Sequence, residues 1–345
     1  MTQDQWEILK KCARCEKTGG IPIGLIIDSP WLPGYANISY LDYYTNINTW
    51  FETNMKAINE FPDIIFLPGF WAEMGMAAEP SGFGCLVNFP KDKTPTVQHI
   101  GETCSDGLNK KIPNPTRDGL MPLLLNLYKD GEKMAADAGH KIKIVAARGP
   151  LTLATHLIGV TSFLTDIKLD PDNAHKFLKN TTKTVINWLK AQAEVLHEVE
   201  GILVLDDIVG FLSIEDYQEF AHPYLKEIFS AFPSTVKMYH NDTKNEVYYP
   251  YLKDLGINFY NFSHLCNIAE ARKLIGDGIC LIGNIPPLDA LVKGTVEQVK
   301  KETIKCIDDY GSDTGILLSA GGGASPGTPA ENIKAVVDAV KSYKK

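Results

Sequence analysis

The amino-acid sequence predicts an α/β protein, built as a single (β/α)₈ barrel over residues 1–345. Three observations predict this fold. Eight short apolar runs recur along the chain, capped helical segments separate most of them, and no low-complexity tract marks a second domain. Continuous apolar runs are typical of strands that a parallel sheet buries on both faces. Eight strand–helix units in one chain favour a barrel, with a doubly wound open sheet as the alternative.

The eight runs define the predicted strands, and the residues between them carry helix-start signals. Residues 170–172 (Asp-Pro-Asp) predict a helix with Pro at its first position, and residues 213–216 predict another that Ser213 caps. Residues 328–331 (Thr-Pro-Ala-Glu) predict a capping box. The predicted strands cover residues 21–29, 63–70, 141–147, 201–206, 235–240, 257–262, 278–283 and 315–319.

One stretch departs from the strand–helix rhythm. Residues 71–140 contain many Gly, Pro and Asn residues and are longer than one loop and one helix require. We expect them to form an insertion over the mouth of the barrel, after the second strand.

Composition restricts the partners and the compartment. The chain has 34 Lys and Arg against 42 Asp and Glu, a formal charge of −8, and only four of the basic residues are arginines. Arginine is the residue that clamps phosphate bidentately, so this balance argues against nucleic acid as a ligand. There is no long apolar stretch and no secretory signal in the sequence, so we expect a cytoplasmic protein that does not insert into a membrane.

Polar residues follow most of the predicted strands. In a barrel the carboxyl ends of the strands lie at one face and carry the active site, so these residues are expected to converge. They include Asp28, Arg148, Asp206, Asp207, His240, Asp242, Asn261 and Ser319.

The sharpest of these groups is His240 with Asp242. Imidazole and carboxylate two positions apart at a strand end suit Zn²⁺, although a histidine that is merely hydrogen-bonded within the mouth fits the spacing as well. Asp206 and Asp207 close an apolar strand, where carboxylates are costly unless they are paired, functional or cap the following loop. We take both aspartates as candidate catalytic residues.

Two further features are compatible with a ligand. Residues 321–323 are three glycines before a helix start, which allows either phosphate binding or close packing against a bulky ligand. Aromatic residues near the strand ends line an apolar pocket in one interpretation and pack locally in the other. They are Trp31, Tyr35, Phe70, Trp71 and Phe83.

The motifs resemble those of the uroporphyrinogen decarboxylase superfamily. Residues 148–154 (Arg-Gly-Pro-Leu-Thr-Leu-Ala) are similar to its G-P-x-T motif, and residues 283–287 and 328–333 are similar to its C-terminal segment. The resemblance runs from about residue 20 to the C-terminus and implies a (β/α)₈ barrel. It also implies either a tetrapyrrole decarboxylase or a corrinoid-dependent methyltransferase. The arginine-rich N-terminal motif of the decarboxylase is missing from residues 28–35, which argues against decarboxylation.

Within the methyltransferase branch, the resemblance implies a zinc site at His240. Asp242 and Ser319 stand about where thiol-alkylating members carry cysteines, and Glu79, Asp206 and Asp207 are candidates to complete the ligand set. Oxygen ligands leave more positive charge on zinc than thiolates do, which favours polarising an ether oxygen.

The sequence therefore resembles the methyltransferase component of anaerobic O-demethylase systems. Such a component moves a methyl group from a methoxylated aromatic to the Co(I) of a separate corrinoid protein, and an acid such as Asp207 is an alternative to the metal at the ether oxygen. The alternatives are a methylcorrinoid:thiol methyltransferase and a non-catalytic barrel that binds a corrinoid or tetrapyrrole. A homodimer is compatible with the sequence. The expected substrate contacts are Asp28, Trp31, Tyr35, Phe70, Trp71, Arg148 and Asn261.

Overall fold

The computed structural model describes residues 1–343 and contains a barrel of eight parallel strands. Neighbouring strands follow the order β2-β1-β10-β9-β8-β7-β6-β5, and every ladder between them is parallel. The predicted (β/α)₈ fold is confirmed. The strands are β1 Ile23–Ile26, β2 Ile64–Leu67, β3 Val87–Asn88, β4 Thr96–Val97, β5 Ile144–Arg148, β6 Gly201–Leu205, β7 Val236–Asn241, β8 Phe259–Phe262, β9 Cys280–Ile285 and β10 Ile316–Ala320.

Helices surround the barrel and bury their apolar faces against it. The α-helices are α1 Gln3–Ala13, α2 Leu32–Ala36, α3 Tyr40–Thr45, α4 Ile47–Glu60, α5 Ala78–Gly82, α6 Cys104–Leu108, α7 Met121–Asp137, α8 Pro150–Ile158, α9 Val160–Leu169, α10 Pro171–Val195, α11 Ile214–Asp216, α12 His222–Ser230, α13 Ile268–Ile275, α14 Val296–Tyr310 and α15 Ala330–Ser342. Short 3₁₀ turns cover Asp207–Phe211 and Tyr249–Leu255, and π-turns cover Tyr217–Ala221 and Pro287–Val292. None of these helices is both long enough and apolar enough to cross a bilayer.

Two of the three predicted helix starts are confirmed. α10 begins at Pro171 with Asp170 as its N-cap, and the Ser213 hydroxyl accepts a hydrogen bond from the Asp216 N–H at 3.1 Å. The capping box predicted at residues 328–331 is wrong. The Thr328 hydroxyl donates to the carbonyl of Ser325 at 2.8 Å, so Pro329 becomes the N-cap of α15 and provides no side-chain acceptor.

The segment between β2 and β5 has two parts. α7 packs against α4 and α10, the helices that follow the neighbouring strands, and so it belongs to the outer ring. The residues before α7 include α5, the β3–β4 hairpin and α6. We therefore propose that the insertion covers residues 68–120, a shorter range than the 71–140 expected from composition.

The described strands form no ladder between β2 and β5, and buried side chains occupy this gap. The side chain of Glu79, which is 3% exposed, accepts a hydrogen bond from the backbone N–H of Arg148 at 3.1 Å. Trp71, Leu124 and Trp188 lie around the same gap. The carboxyl group thus replaces one acceptor that a neighbouring strand would supply.

Candidate functional site

A cavity of about 390 Å³ opens at the carboxyl ends of the barrel strands. Its polar wall comes from Asp28, Arg148, Asp207 and His240, and its apolar wall includes Ile26 and Leu205. The inserted segment closes one side of the cavity. The contributing residues of that segment are Gly75, Met76, Thr94, Pro95, Thr96, Val97 and His99.

His240 lies on β7 with one ring nitrogen fixed by a neighbour. The side-chain NH₂ of Asn261 donates to the carbonyls of Ile282 at 2.8 Å and Ala320 at 3.1 Å, so its Oδ1 must face His240. That oxygen lies 2.6 Å from Nδ1 of His240 and accepts its N–H. The lone pair of the neutral imidazole therefore resides on Nε2, on the side away from Asn261.

Two carboxylates gather at the Nε2 side of His240. Its Nε2 lies 3.5 Å from Oδ1 of Asp207, and one ligand atom each from Asp207, His240 and Asp242 lie within 4.8 Å of one another. An imidazole nitrogen and carboxylate oxygens at these separations can coordinate one cation together. Three N/O ligands with an open fourth position are also the usual protein donor set of a catalytic zinc site.

The glycine run is part of the packing around Asp242. Gly322 has a φ of +134°, and a Cβ atom there would lie 2.7 Å from Oδ2 of Asp242. A Cβ atom on Gly321 would lie 2.4 Å from the backbone nitrogen of His264. Glycine is thus required for the chain to pass beside this carboxylate.

Asp206 has a different place from its neighbour Asp207. It is fully buried, and its carboxylate accepts hydrogen bonds from the N–H groups of Leu151 and Thr152, both at 2.9 Å, at the start of α8. A Cβ atom on Gly149 would lie 2.3 Å from its Oδ2. Burial raises the pKa of Asp206 to about 7 against these hydrogen bonds. Asp206 was expected to be catalytic. Its carboxylate instead attaches the start of α8 to the end of β6.

One acid lies in the cavity wall, and a second acid lies behind it. Asp28 lines the cavity, and burial raises its pKa to about 6, an effect that Arg148 and His240 partly oppose. Glu73 lies deeper, is 4% exposed, and accepts a hydrogen bond from the N–H of Ser29 at 2.5 Å. Burial, with the charge of Asp28, raises the pKa of Glu73 to about 8.

Arg148 ends β5 and is 7% exposed. Its guanidinium carbon lies 5.2 Å from the ring centroid of Trp71, which packs against it as a cation–π partner. Trp71 thus contacts Arg148 and is not one of the cavity-lining residues.

The other aromatic residues expected to hold a substrate ring pack within the protein. Trp31 donates to the carbonyl of Thr328 at 3.0 Å and stacks on Tyr35 with centroids 4.4 Å apart. Phe70 is fully buried against Trp50 and Phe51. None of Trp31, Tyr35 and Phe70 lines the cavity. The local-packing interpretation of these aromatic residues is the one that the structure supports.

One expected ligand and one expected substrate contact have other surroundings, and a second expected ligand is buried without a partner. Glu79 lies in the gap between β2 and β5, outside the cluster formed by Asp207, His240 and Asp242. Ser319 is fully buried on β10, and its hydroxyl has no hydrogen-bond partner within residues 1–343. Asn261 is also fully buried, so it supports His240 and has no surface left for a substrate.

Sequence reasoning missed the part of the cavity that the inserted segment and α8 supply. His99 and His156 both line the cavity, and the Nε2 of His156 lies 2.9 Å from Sδ of Met76. Burial, with the positive charge of Arg148 nearby, lowers the pKa of His156 to about 4. No spacing in the sequence indicates these contacts, because they depend on how the insertion folds back over the mouth.

The fold and the site together define a barrel enzyme with an imidazole–dicarboxylate cluster at the carboxyl ends of β6 and β7. The family model for uroporphyrinogen decarboxylase (URO-D) matches residues 34–343, and the chain belongs to this family.

The chain is similar to proteins with two different activities. A uroporphyrinogen decarboxylase of Methylobacillus flagellatus is 30% identical over an alignment that covers 99% of this chain and 98% of that protein. A methylated-thiol–coenzyme M methyltransferase of Methanosarcina mazei is 26% identical over 78% of this chain and 71% of that protein. The solved structure of a methyltransferase from Methanosarcina mazei superposes with a TM-score of 0.82 at 20% identity and covers 97% of both chains. That last likeness describes the fold.

Proposed function

We propose that this chain is a methyltransferase that removes the methyl group of a methoxylated aromatic and passes it to the Co(I) of a corrinoid on a separate protein. The observation that carries the proposal is the cluster of Asp207, His240 and Asp242 at a cavity with one apolar wall. The methyl–oxygen bond breaks, a methyl–cobalt bond forms, and the phenolate oxygen takes up one proton. The relationship to a methylated-thiol–coenzyme M methyltransferase supports methyl transfer as the reaction class.

The difficult part of this reaction is the charge that develops on the departing phenolic oxygen. Asp207, His240 and Asp242 would hold a zinc ion, which when bound supplies a Lewis acid at that oxygen. The hydroxyl of Ser319, buried and unpartnered in the described chain, is our candidate for a further ligand. Glu79 is dropped from the ligand set because its carboxyl is engaged with the backbone of β5.

The protein's own contribution is preorganisation. The bond from Nδ1 to Asn261 holds the imidazole in one tautomer with Nε2 toward the carboxylates. The Asp242 N–H donates to Oδ1 of Asp207 at 3.2 Å, and this bond fixes the carboxylate of Asp207. Groups already aimed at the place where charge develops need no reorganisation during the reaction, so they stabilise the transition state more than the bound substrate.

The ligand chemistry favours an ether over a thiol as the methyl-group partner. None of the seven cysteines, all of which lie in the described residues, lines the cavity, and Asp242 stands where the thiol branch carries a cysteine. A site with oxygen ligands activates a thiolate less well, because it withdraws more charge from the sulfur. A methylcorrinoid:thiol methyltransferase is therefore the second candidate.

Decarboxylation of uroporphyrinogen is disfavoured by the distribution of arginines. Arg148 lines the cavity, whereas Arg14 and Arg117 are exposed side chains paired with acids. Arg272 is engaged with the carbonyls of Gly276, Ile279 and Gly315. One arginine is insufficient to neutralise the many carboxylates of that tetrapyrrole.

The test is an anaerobic assay with free cob(I)alamin as the methyl acceptor. We expect phenol release and methylcobalamin formation from a methoxylated aromatic, together with bound zinc that is lost in His240→Ala. Methylation of a thiol by methylcobalamin, without activity on any methoxylated aromatic, would support the second candidate. Release of coproporphyrinogen from uroporphyrinogen would contradict methyl transfer altogether.

A further inference from the structure

Arg148 is a buried cation without a counter-ion. Its side chain is 7% exposed, and its Nε has no hydrogen-bond partner in the described chain. Within residues 1–343, no carboxylate oxygen forms an ion pair with its guanidinium within 4.0 Å. An unpaired buried charge is costly, so a protein that retains one usually pairs it with a ligand.

The acids around Arg148 leave its charge unbalanced. Glu79 contacts the backbone N–H of Arg148 and not its guanidinium, and Glu73 is engaged with the N–H of Ser29. Burial raises the pKa of both acids, that of Glu73 to about 8, and so opposes a negative charge on each of them. Asp28 is the acid in the cavity whose charge Arg148 senses, but the two form no direct ion pair.

The guanidinium packs against an aromatic ring at the wall of the cavity. Trp71 packs against it at 5.2 Å, and Arg148 itself lines the cavity. Arginine presents parallel N–H groups that match both oxygens of a carboxylate, and a fixed guanidinium loses little entropy when it binds one.

Arg148 also lies at a suitable distance from the cluster. In the parallel ladders Arg148 lies opposite Leu205, and Leu205 lies opposite His240. All three residues line the cavity. Two strand spacings place the backbones of Arg148 and His240 about 10 Å apart. A benzene ring with substituents at opposite positions bridges side chains that approach each other across such a separation.

We propose that Arg148 binds a carboxylate of the methyl donor, so that the preferred donors are methoxylated aromatic acids. The inference rests on the proposed function, which supplies the methoxylated ring. It adds that a carboxylate on the ring decides which methoxylated aromatics bind best. Asp28, on the same wall, disfavours a second anionic substituent at its end of the cavity.

The experiment measures binding without any methyl acceptor. Calorimetric titrations compare para-methoxybenzoate with para-methoxybenzamide, which has the same shape without the charge. We expect wild type to bind the acid about ten to one hundred times more tightly than the amide. Arg148→Gln should abolish this preference, and Arg148→Lys should restore part of it. Arg117→Gln, at an exposed arginine, is the matched control and should retain the full preference.

The outcomes separate this inference from the proposed function. Equal binding of acid and amide by wild type would overturn the carboxylate assignment, whether or not methyl transfer occurs, and this comparison does not depend on the variants folding. Equal weakening of both ligands in Arg148→Gln would also overturn it, because a structural role has that signature. If wild type prefers the acid but transfers no methyl group, Arg148 keeps its assignment and the proposed function fails.

Discussion

Asn261 is fully buried and does not line the cavity, but it orients His240, which does. Its amide is locked by two backbone carbonyls, and its Oδ1 orients the imidazole of His240. Partners of this kind fix the tautomer of metal-binding histidines, and their loss typically costs ten- to hundredfold in metal affinity.

We therefore expect Asn261→Ala to weaken zinc binding about ten- to hundredfold, measured by competition with a chromophoric chelator. Asn261→Asp keeps an acceptor for the Nδ1–H and should lose much less. Asn258→Ala removes an amide just before the start of the same strand, where it accepts from the N–H of Lys237, and serves as the control. If Asn261→Ala and Asn258→Ala change zinc affinity equally, the orienting role of Asn261 is wrong.

Glu73 makes the stability of the protein depend on pH. Its pKa rises from 4.5 to about 8 on folding, because burial disfavours the carboxylate. The folded state therefore binds this proton more tightly than the unfolded state. The stability that the protonated group contributes is complete below the unfolded pKa and is lost as pH rises through the folded pKa.

Glu73→Gln removes this titration and keeps an oxygen that accepts from the Ser29 N–H. We expect the variant to gain stability relative to wild type between about pH 5 and pH 9, measured by urea unfolding across that interval. Glu52→Gln, at an exposed position, should follow the wild-type curve. A constant difference between Glu73→Gln and wild type over the whole interval would contradict a buried titrating Glu73.

At the scale of elements, the gap between β2 and β5 is closed by side chains. Glu79 supplies an acceptor to the Arg148 N–H at the unpaired edge of β5. Glutamine keeps a side-chain oxygen at nearly the same position, and it lacks the charge that burial of Glu79 disfavours by raising its pKa. We expect Glu79→Ala to lower the free energy of unfolding by about 1–3 kcal/mol, whereas Glu79→Gln changes it little, as measured by urea unfolding. If both variants lose the same free energy of unfolding, Glu79 does not act as a hydrogen-bond acceptor for β5.

The strands and their order at the mouth could be predicted from the sequence because both follow from local rules. A strand buried on both faces must be apolar throughout, and polar residues must then appear where it ends. By this rule, we predicted Asp28, Arg148, Asp207 and His240 at one face of the barrel. In the structure all four line one cavity.

The exact partners of each side chain could not be predicted in the same way. Trp31 and Phe70 are apolar and lie near strand ends, but their ring partners are not given by local rules: Trp31 donates to the carbonyl of Thr328, and Phe70 packs against Trp50 of α4. Asp206 and Asp207 are adjacent, yet one caps α8 and the other faces the cavity, since successive residues at a strand end point to opposite sides. The β3–β4 hairpin lines the cavity through long-range contacts, which the hydrophobic periodicity of the sequence does not indicate.

At the scale of the whole molecule, the barrel holds different groups of residues on different sides of one cavity. In the proposed reaction, the cluster at β6 and β7 acts at the bond that breaks and the guanidinium at the end of β5 selects the donor. Residues between β2 and β5 line another side of the same cavity. The proposed reaction needs this separation, because the metal-binding end must act on the ether oxygen while a corrinoid approaches the methyl group from outside.

The most direct test of this account measures phenol release from a series of ring-substituted methoxybenzoates, with cob(I)alamin as acceptor, by wild type and Asp242→Ala. If the cluster stabilises charge on the departing oxygen, Asp242→Ala should lower kcat more than it raises KM. The loss should grow as the leaving phenol becomes less acidic, since poorer leaving groups carry more charge in need of stabilisation. Equal losses across the series would contradict a role of Asp207, His240 and Asp242 in leaving-group activation.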